Sequence, residues 1–116
     1  SHCALMKSAS EELEHMLASL ELESPRIPVL QNSDGALAKE PRQIKLNLVK
    51  QLYSPVLWVD CIRGIFKEGA EKIVECGPGK VLAGLVKRIE PQIICYASDT
   101  RERIESAVSG ISQSTN

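Results

Sequence analysis

Apolar residues near the start of the chain recur at helical spacing. Leu5, Ala9, Leu13, Met16, Leu17 and Leu20 follow steps of three and four, while Lys7, Glu11, Glu12 and Glu14 fall off that stripe. The pattern predicts an amphipathic helix from about Ala4 to Leu22, ended at Ser24-Pro25 because a residue before proline is pushed out of the helical region. Ile27 to Leu30 is β-rich, but Pro28 has no N–H for a ladder, so an edge strand or a late-starting one is expected. Asn32-Ser33-Asp34-Gly35 follows as turn chemistry. A second helix is expected over roughly Pro41 to Tyr53, with Pro41 in its first turn and Ile44, Leu48 and Leu52 on one face. Ser54-Pro55 breaks it and is expected to cap a third helix that runs to about Glu68 and stops at Gly69.

Beyond Gly69 the period changes. Lys72 to Cys76 reads as a short strand, Gly77-Pro78-Gly79 as a tight turn, and Lys80 to Ile89 as a helix packing Val81, Leu82, Leu85, Val86 and Ile89. Pro91 stops that helix, and Gln92 to Ala97 is a second apolar strand. Asp99-Thr100-Arg101-Glu102 then resembles a capping box with Asp99 as the cap, opening a last helix whose inner face is Ile104, Ala107, Val108 and Ile111. Strand, helix, strand, helix with short joints marks crossovers on a parallel sheet, so the expected fold class is α/β with a parallel sheet flanked by helices. About three strands are too few to be covered comfortably on both faces. Residues 1–111 are therefore expected to form part of a larger domain, with a polar tail at 112–116. The opening Ser1-His2-Cys3, without an initiator Met and directly before a helix, leads to the same expectation: the chain begins inside a longer protein.

Composition narrows the partners more than the fold. The chain has 116 residues, 43% apolar and 25% charged, with a net charge of -1. Lys and Arg are scattered and balanced by acids, so there is no basic face for nucleic acid. No apolar run approaches the ~20 residues needed to cross a bilayer, and no signal segment opens the chain. A cytoplasmic enzyme, or a piece of one, is the expectation. Cys3, Cys61, Cys76 and Cys95 lie far apart with no C-x-x-C pair, which argues against a metal site and for reduced, mostly packed thiols.

Candidate chemistry is sparse. On spacing alone, His2 reads as a surface or structural histidine, and His15 sits among helix charges. Cys3 next to His2 does not make a thiol–imidazole pair, since adjacent side chains point in different directions. Gly77-Pro78-Gly79-Lys80 is not a phosphate loop, because Val74 and Val81 stand where such a loop needs Gly and Ser or Thr. Leu82 likewise excludes a dinucleotide fingerprint. The turn itself is expected to be structural, although the helix after it would offer an open N-terminus to a nearby anion. Asn32 and Gln51 are amides near a turn and a helix end, with capping or hydration as their ordinary roles.

Three blocks taken in order change this picture: Ser1-His2-Cys3-Ala4-Leu5-Met6, Val49-Lys50-Gln51-Leu52-Tyr53-Ser54-Pro55-Val56-Leu57-Trp58, and Glu75-Cys76-Gly77-Pro78-Gly79-Lys80-Val81-Leu82-Ala83-Gly84-Leu85. Together they resemble the C-terminal third of bacterial malonyl-CoA:acyl-carrier-protein transacylases of fatty-acid synthesis. The similarity runs from Ser1 to Ile89 and more loosely to Ile111. Cys76 departs from the small aliphatic residue expected there, a change for packing only. The resemblance implies the C-terminal part of an α/β-hydrolase-like large subdomain, following a small ferredoxin-like insert. It also implies ping-pong chemistry, in which a serine in a Gly-His-Ser-Leu-Gly elbow takes the malonyl group from malonyl-CoA and passes it to the phosphopantetheine thiol of acyl carrier protein. His2 would be the general base and acid, and the backbone carbonyl of Gln51 would accept its other N–H and orient the ring. Asn32 is carried as a candidate substrate-binding residue.

The resemblance also implies what is missing here. No Gly-x-Ser-x-Gly occurs in the chain. The serine, the oxyanion donors and the malonyl-pairing arginine would lie upstream, so the chain alone is expected to be inactive and poorly soluble. Expected partners are malonyl-CoA, acyl carrier protein and the N-terminal part of the same enzyme, with no cofactor held by this chain, no nucleic acid and no membrane. Two rivals remain: an acyltransferase piece of a polyketide or fatty-acid synthase, and a non-catalytic module that docks acyl carrier protein. An upstream serine elbow separates enzyme from scaffold.

Overall fold

Prolines, glycines and hydroxyls set where each helix begins and ends, and several of these ends differ from what periodicity alone predicts. The computed structural model describes residues 2–113, which fall into two units, one running to Gly64 and the other starting at Ile65.

In the first unit a single 3-10 turn, Ala4–Met6, leads into α1, Lys7–Ala18. The helix stops four residues short of the expected Leu22. The Ser19 hydroxyl donates back to the Met16 carbonyl at 3.0 Å, and the Leu20 amide closes a tighter turn onto the Leu17 carbonyl at 3.2 Å. Its inner face is also narrower than the apolar stripe. Ser10 and Leu17 are buried, whereas Leu5 and Met16 are exposed, because one helix, α2 (Pro41–Gln51), supplies the packing partner within this unit. Ser10 tolerates burial because its hydroxyl donates to the Lys7 carbonyl at 2.5 Å.

The run from Ile27 to Leu30 does not become a strand. It contributes one antiparallel bridge, Leu30 to Leu37, and Ile27 stays 76% exposed. With Pro28 unable to donate, a ladder cannot propagate through it. The turn that follows is as expected. Gly35 has φ +63°, its amide donates to the Gln31 carbonyl at 2.9 Å, and Asp34 Oδ1 accepts the Ala36 amide at 3.0 Å. A Cβ on Gly35 would also come within 2.7 Å of Asp60 Cβ, so glycine serves both the dihedral and the close approach.

Helix α2 has Pro41 in its first turn and ends at Gln51, two residues earlier than expected. Ser54-Pro55 does not cap the third helix. Helix α3 is Trp58–Lys67, and the amide of Leu57 just before it donates to the Asn32 carbonyl at 2.9 Å. The loop at 31–35 thus claims the segment where the helix was expected to start. Its far end is as read from sequence. Gly69 has φ +91° and donates to Phe66 at 2.9 Å, and Ala70 donates to Ile65 at 3.2 Å.

In the second unit β1 (Lys72–Glu75) and β2 (Ile94–Ala97) pair in parallel, Lys72 opposite Ile94 through Glu75 opposite Ala97. Helix α4 (Val81–Ile89) connects them and α5 (Arg101–Ser112) follows. Two strands are formed among the described residues, not the expected three. Val86, Ile93 and Ala107 make the buried centre, while Val81, Ile104, Val108 and Ile111 on the helices remain exposed, since two short strands cover only a narrow stripe of each helix. The cap of α5 is Thr100, whose hydroxyl accepts the Arg103 amide at 3.2 Å, and not Asp99. Asp99 instead accepts from the Arg103 guanidinium at 2.5 Å, and that bond holds its carboxyl below the usual carboxylate range. Lys72 Nζ donates to the Gly110 and Gln113 carbonyls at 2.7 and 2.9 Å, placing a cation at the C-terminal end of α5. The tail expected at 112–116 begins late, with Ser112 still helical, and residues 114–116 and Ser1 lie outside the described residues.

The thiols are free but not mostly packed. Cys61 is buried and Cys95 partly so, while Cys3 and Cys76 are exposed. Among the described residues no helix is long and apolar enough to cross a membrane.

Candidate functional site

The last carbonyls of an α-helix have no partner inside the helix, and at the end of α2 one of them meets an imidazole from the start of the chain. His2 Nδ1 lies 2.8 Å from the Gln51 carbonyl oxygen, across 49 residues of sequence. A carbonyl only accepts, so Nδ1 must carry the proton in this pair. In the neutral ring Nε2 then carries the lone pair, directed away from α2's end. The same helix end carries a partial negative charge, which favours a hydrogen-bond donor there.

The backbone at this point is unusual. His2 has φ +59°, and it is the one non-glycine residue with positive φ among the described residues. For a non-glycine residue the left-handed region is sparsely used and costs energy that surrounding contacts must offset. The Gln51 bond supplies one such contact. A second lies close by along both segments, where Lys7 Nζ sits 4.0 Å from the centre of the Tyr53 ring.

Asn32 does not join this pair through its side chain. Its backbone carbonyl accepts the Leu57 amide. The polar side chains that do converge nearby in sequence were not singled out by periodicity. Asn47, only 4% exposed, donates from Nδ2 to Gln31 Oε1 at 2.7 Å and to Asp34 Oδ2 at 3.0 Å, and its Oδ1 accepts from Gln43 Nε2 at 3.0 Å. Gln31 Nε2 in turn donates to the Ile44 carbonyl at 3.3 Å. A signal for this cluster existed: Asn47 stands three residues after Ile44, beside the stripe of Ile44, Leu48 and Leu52, at a position where an apolar residue is ordinary. Cys61 is no nucleophile for this unit, since burial pushes its thiol up, with Asp60 and Asp34 adding to the effect.

The Gly77-Pro78-Gly79 turn is structural, with φ of +138° at Gly77 and +79° at Gly79. The expectation of an open helix N-terminus beyond it is corrected. The Glu75 carboxylate, 7% exposed, accepts the Leu82 amide at 3.1 Å through Oε1 and the Ala83 amide at 2.8 Å through Oε2. The donors that would attract an anion are already taken by the chain's own acid. Glu75 is itself held from behind, where the Ser98 hydroxyl donates to its carbonyl at 2.6 Å. Cys95 nearby has its thiol pushed up by burial and then by the Glu75 charge.

Comparison with known proteins gives one answer at both levels. No family model matches the chain. It is 44% identical over 108 residues to the malonyl CoA-acyl carrier protein transacylase of Escherichia coli K12, covering 93% of this chain and 35% of that protein. Its fold matches the crystal structure of the malonyl-CoA:acyl carrier protein transacylase of Xanthomonas oryzae with a TM-score of 0.88 and 38% identity, over 95% of this chain and 35% of the other. A malonyl-transacylase solved in complex with a type II PKS acyl-carrier protein matches equally well, at TM-score 0.88 and 36% identity, over 95% and 36%. The chain spans about a third of the length of the curated relatives it matches. In sequence and in fold the chain is similar, along nearly all of its own length, to about a third of the malonyl CoA-acyl carrier protein transacylases.

Proposed function

We propose that this chain supplies the general base of a malonyl transfer from malonyl-CoA to acyl carrier protein, and that the nucleophile comes from a part of the enzyme beyond the matched third. The observation that carries this reading is the 2.8 Å approach of His2 Nδ1 to the Gln51 carbonyl. It leaves Nε2 basic and the ring direction set, the two properties a serine needs in its partner. Nε2 takes the serine proton as the oxygen attacks the thioester carbonyl. When the tetrahedral intermediate collapses and the C–S bond breaks, the imidazolium returns that proton to the departing thiolate. In the second half-reaction Nε2 takes the proton of the phosphopantetheine thiol, whose sulfur attacks the malonyl ester, and the serine leaves with the proton restored. A carbonyl in place of a carboxylate orients the ring without adding a full charge.

The reading calls for no metal or prosthetic group on this chain, and four free thiols accord with a cytoplasmic setting. The exposed apolar residues of α4 and α5 accord with burial against further structure in the full-length enzyme. A graft tests it: this chain replaces the matching third of the E. coli relative, and malonyl transfer is assayed. Activity in the graft and its loss with His2→Ala are the expected results. A folded graft that keeps full activity without His2 sinks the reading. The isolated chain, lacking a serine elbow, is expected to show no mass increase with malonyl-CoA.

A further inference from the structure

Asn47 and Gln51 lie one helical turn apart on α2. Asn47 is buried on α2 and uses both of its amide protons and one acceptor position of Oδ1 there. Each Nδ2 proton has its own acceptor, on Gln31 and on Asp34, and Oδ1 takes the Gln43 amide. A buried asparagine costs stability unless hydrogen-bonded, and such networks select one arrangement more than they add stability. Two of its partners, Gln31 and Asp34, belong to the loop that also holds the Leu57 amide through Asn32 and receives the Cys61 thiol through Gln31. The loop is thereby tied to α2 and to the start of α3 by directional bonds.

A bidentate amide anchor adds a directional constraint to apolar packing, because its bonds are lost on a small axial shift. An axial slip of α2 by about 1 Å would take the Gln51 carbonyl out of hydrogen-bond range of His2. We infer that Asn47 is a positioning residue for the candidate general base: its bonds to Gln31 and Asp34 fix the axial position of α2, and so fix the carbonyl that selects the Nδ1–H tautomer of His2. This rests on the proposed role of the His2–Gln51 pair and extends it by one turn of helix.

The test reads the tautomer directly in the E. coli graft, with the His2 signals assigned by their loss in His2→Ala. With histidines labelled with nitrogen-15, two-bond nitrogen–proton correlations distinguish Nδ1–H from Nε2–H for His2 at a pH where the ring is neutral. Nδ1–H is expected to dominate. In Asn47→Leu the ratio of Nδ1–H to Nε2–H is expected to fall roughly fivefold, the worth of one ordinary hydrogen bond. Ile62→Ala, a truncation of a fully buried side chain of α3 that makes none of these hydrogen bonds, is expected to lower stability and leave the ratio alone. If Asn47→Leu does not fold, Gln31→Leu removes one acceptor of the same anchor and is read in the same way. An unchanged ratio in the folded network variant, or an equal fall in Ile62→Ala, overturns the inference while leaving the His2–Gln51 pair intact. An Nε2–H ring in the unsubstituted graft overturns the pair itself, and the inference with it.

Discussion

Two helix ends in this protein carry motifs that invite a chemical reading, and they resolve in opposite ways. The C-terminal end of α2 takes its partner from 49 residues away, and that partner is an imidazole with a second nitrogen left over. The N-terminal end of α4 takes its partner from seven and eight residues back, and that partner is a buried carboxylate with both oxygens spent on the Leu82 and Ala83 amides. The same electrostatics operate at both ends. What separates a candidate reactive group from a structural cap is whether the bound residue keeps an unused functional atom. His2 does, and Glu75 does not.

The largest effect expected from this contrast is catalytic. In the E. coli graft, His2→Ala should lower malonyl transfer on the order of 10²–10⁴-fold, the usual worth of general acid–base catalysis, while Gln51→Ala should stay within a few-fold because its backbone carbonyl remains. Equal losses for the two would break the comparison. Next comes Glu75→Ala, expected to destabilise the chain by about 2 kcal/mol by leaving two amides of α4 without acceptors, as read from urea unfolding. Phosphate or sulfate should partly restore stability there if the site behaves as an anion site once vacated. No change in stability would show that Glu75 is not the cap.

Smaller still is Gly84→Ala in α4. Nothing lies within 4 Å of the added methyl, so a gain of up to about 1 kcal/mol is expected from helix propensity. Gly110→Ala in α5 serves as its opposite. There the methyl would come within 2.7 Å of Tyr96 Cε1, and a net loss in thermal stability is expected. The smallest effect concerns Asp99. Its carboxyl is held below its reference value of 3.8 by the hydrogen bond from Arg103. Whatever stability the pair adds is therefore present above that value and fades as pH falls through the depressed one. Arg103→Ala should remove that portion of the acid limb of a pH–stability curve, while a wholly unchanged curve would mean the surface pair contributes nothing.

Local chemistry was legible where it depends on neighbours in sequence. Gly35, Gly69, Gly77 and Gly79 all take the positive φ their turns require, and Pro41 opens α2 as its ring demands. Element ends were less legible, because a competing hydrogen bond decides them. Ser19 closes α1 early, Thr100 displaces Asp99 as cap, and the Asn32 carbonyl draws the Leu57 amide into the segment where α3 was expected to start. Inner faces were over-drawn for a different reason. Periodicity names every apolar position, but a single helix neighbour or a two-stranded sheet covers only part of the stripe, which leaves Leu5, Val81 and Val108 in solvent.

The sequence by itself determined the α/β class, the turn glycines and the blocks that liken the chain to the transacylases, because each depends on residue type at short separation. Periodicity and spacing could not place Asn47 among Gln31, Asp34 and Gln43, turn Glu75 onto α4, or set the ring of His2 against the Gln51 carbonyl. These are long-range pairings whose worth depends on geometry to within a few tenths of an ångström, and only the packed chain supplies that geometry.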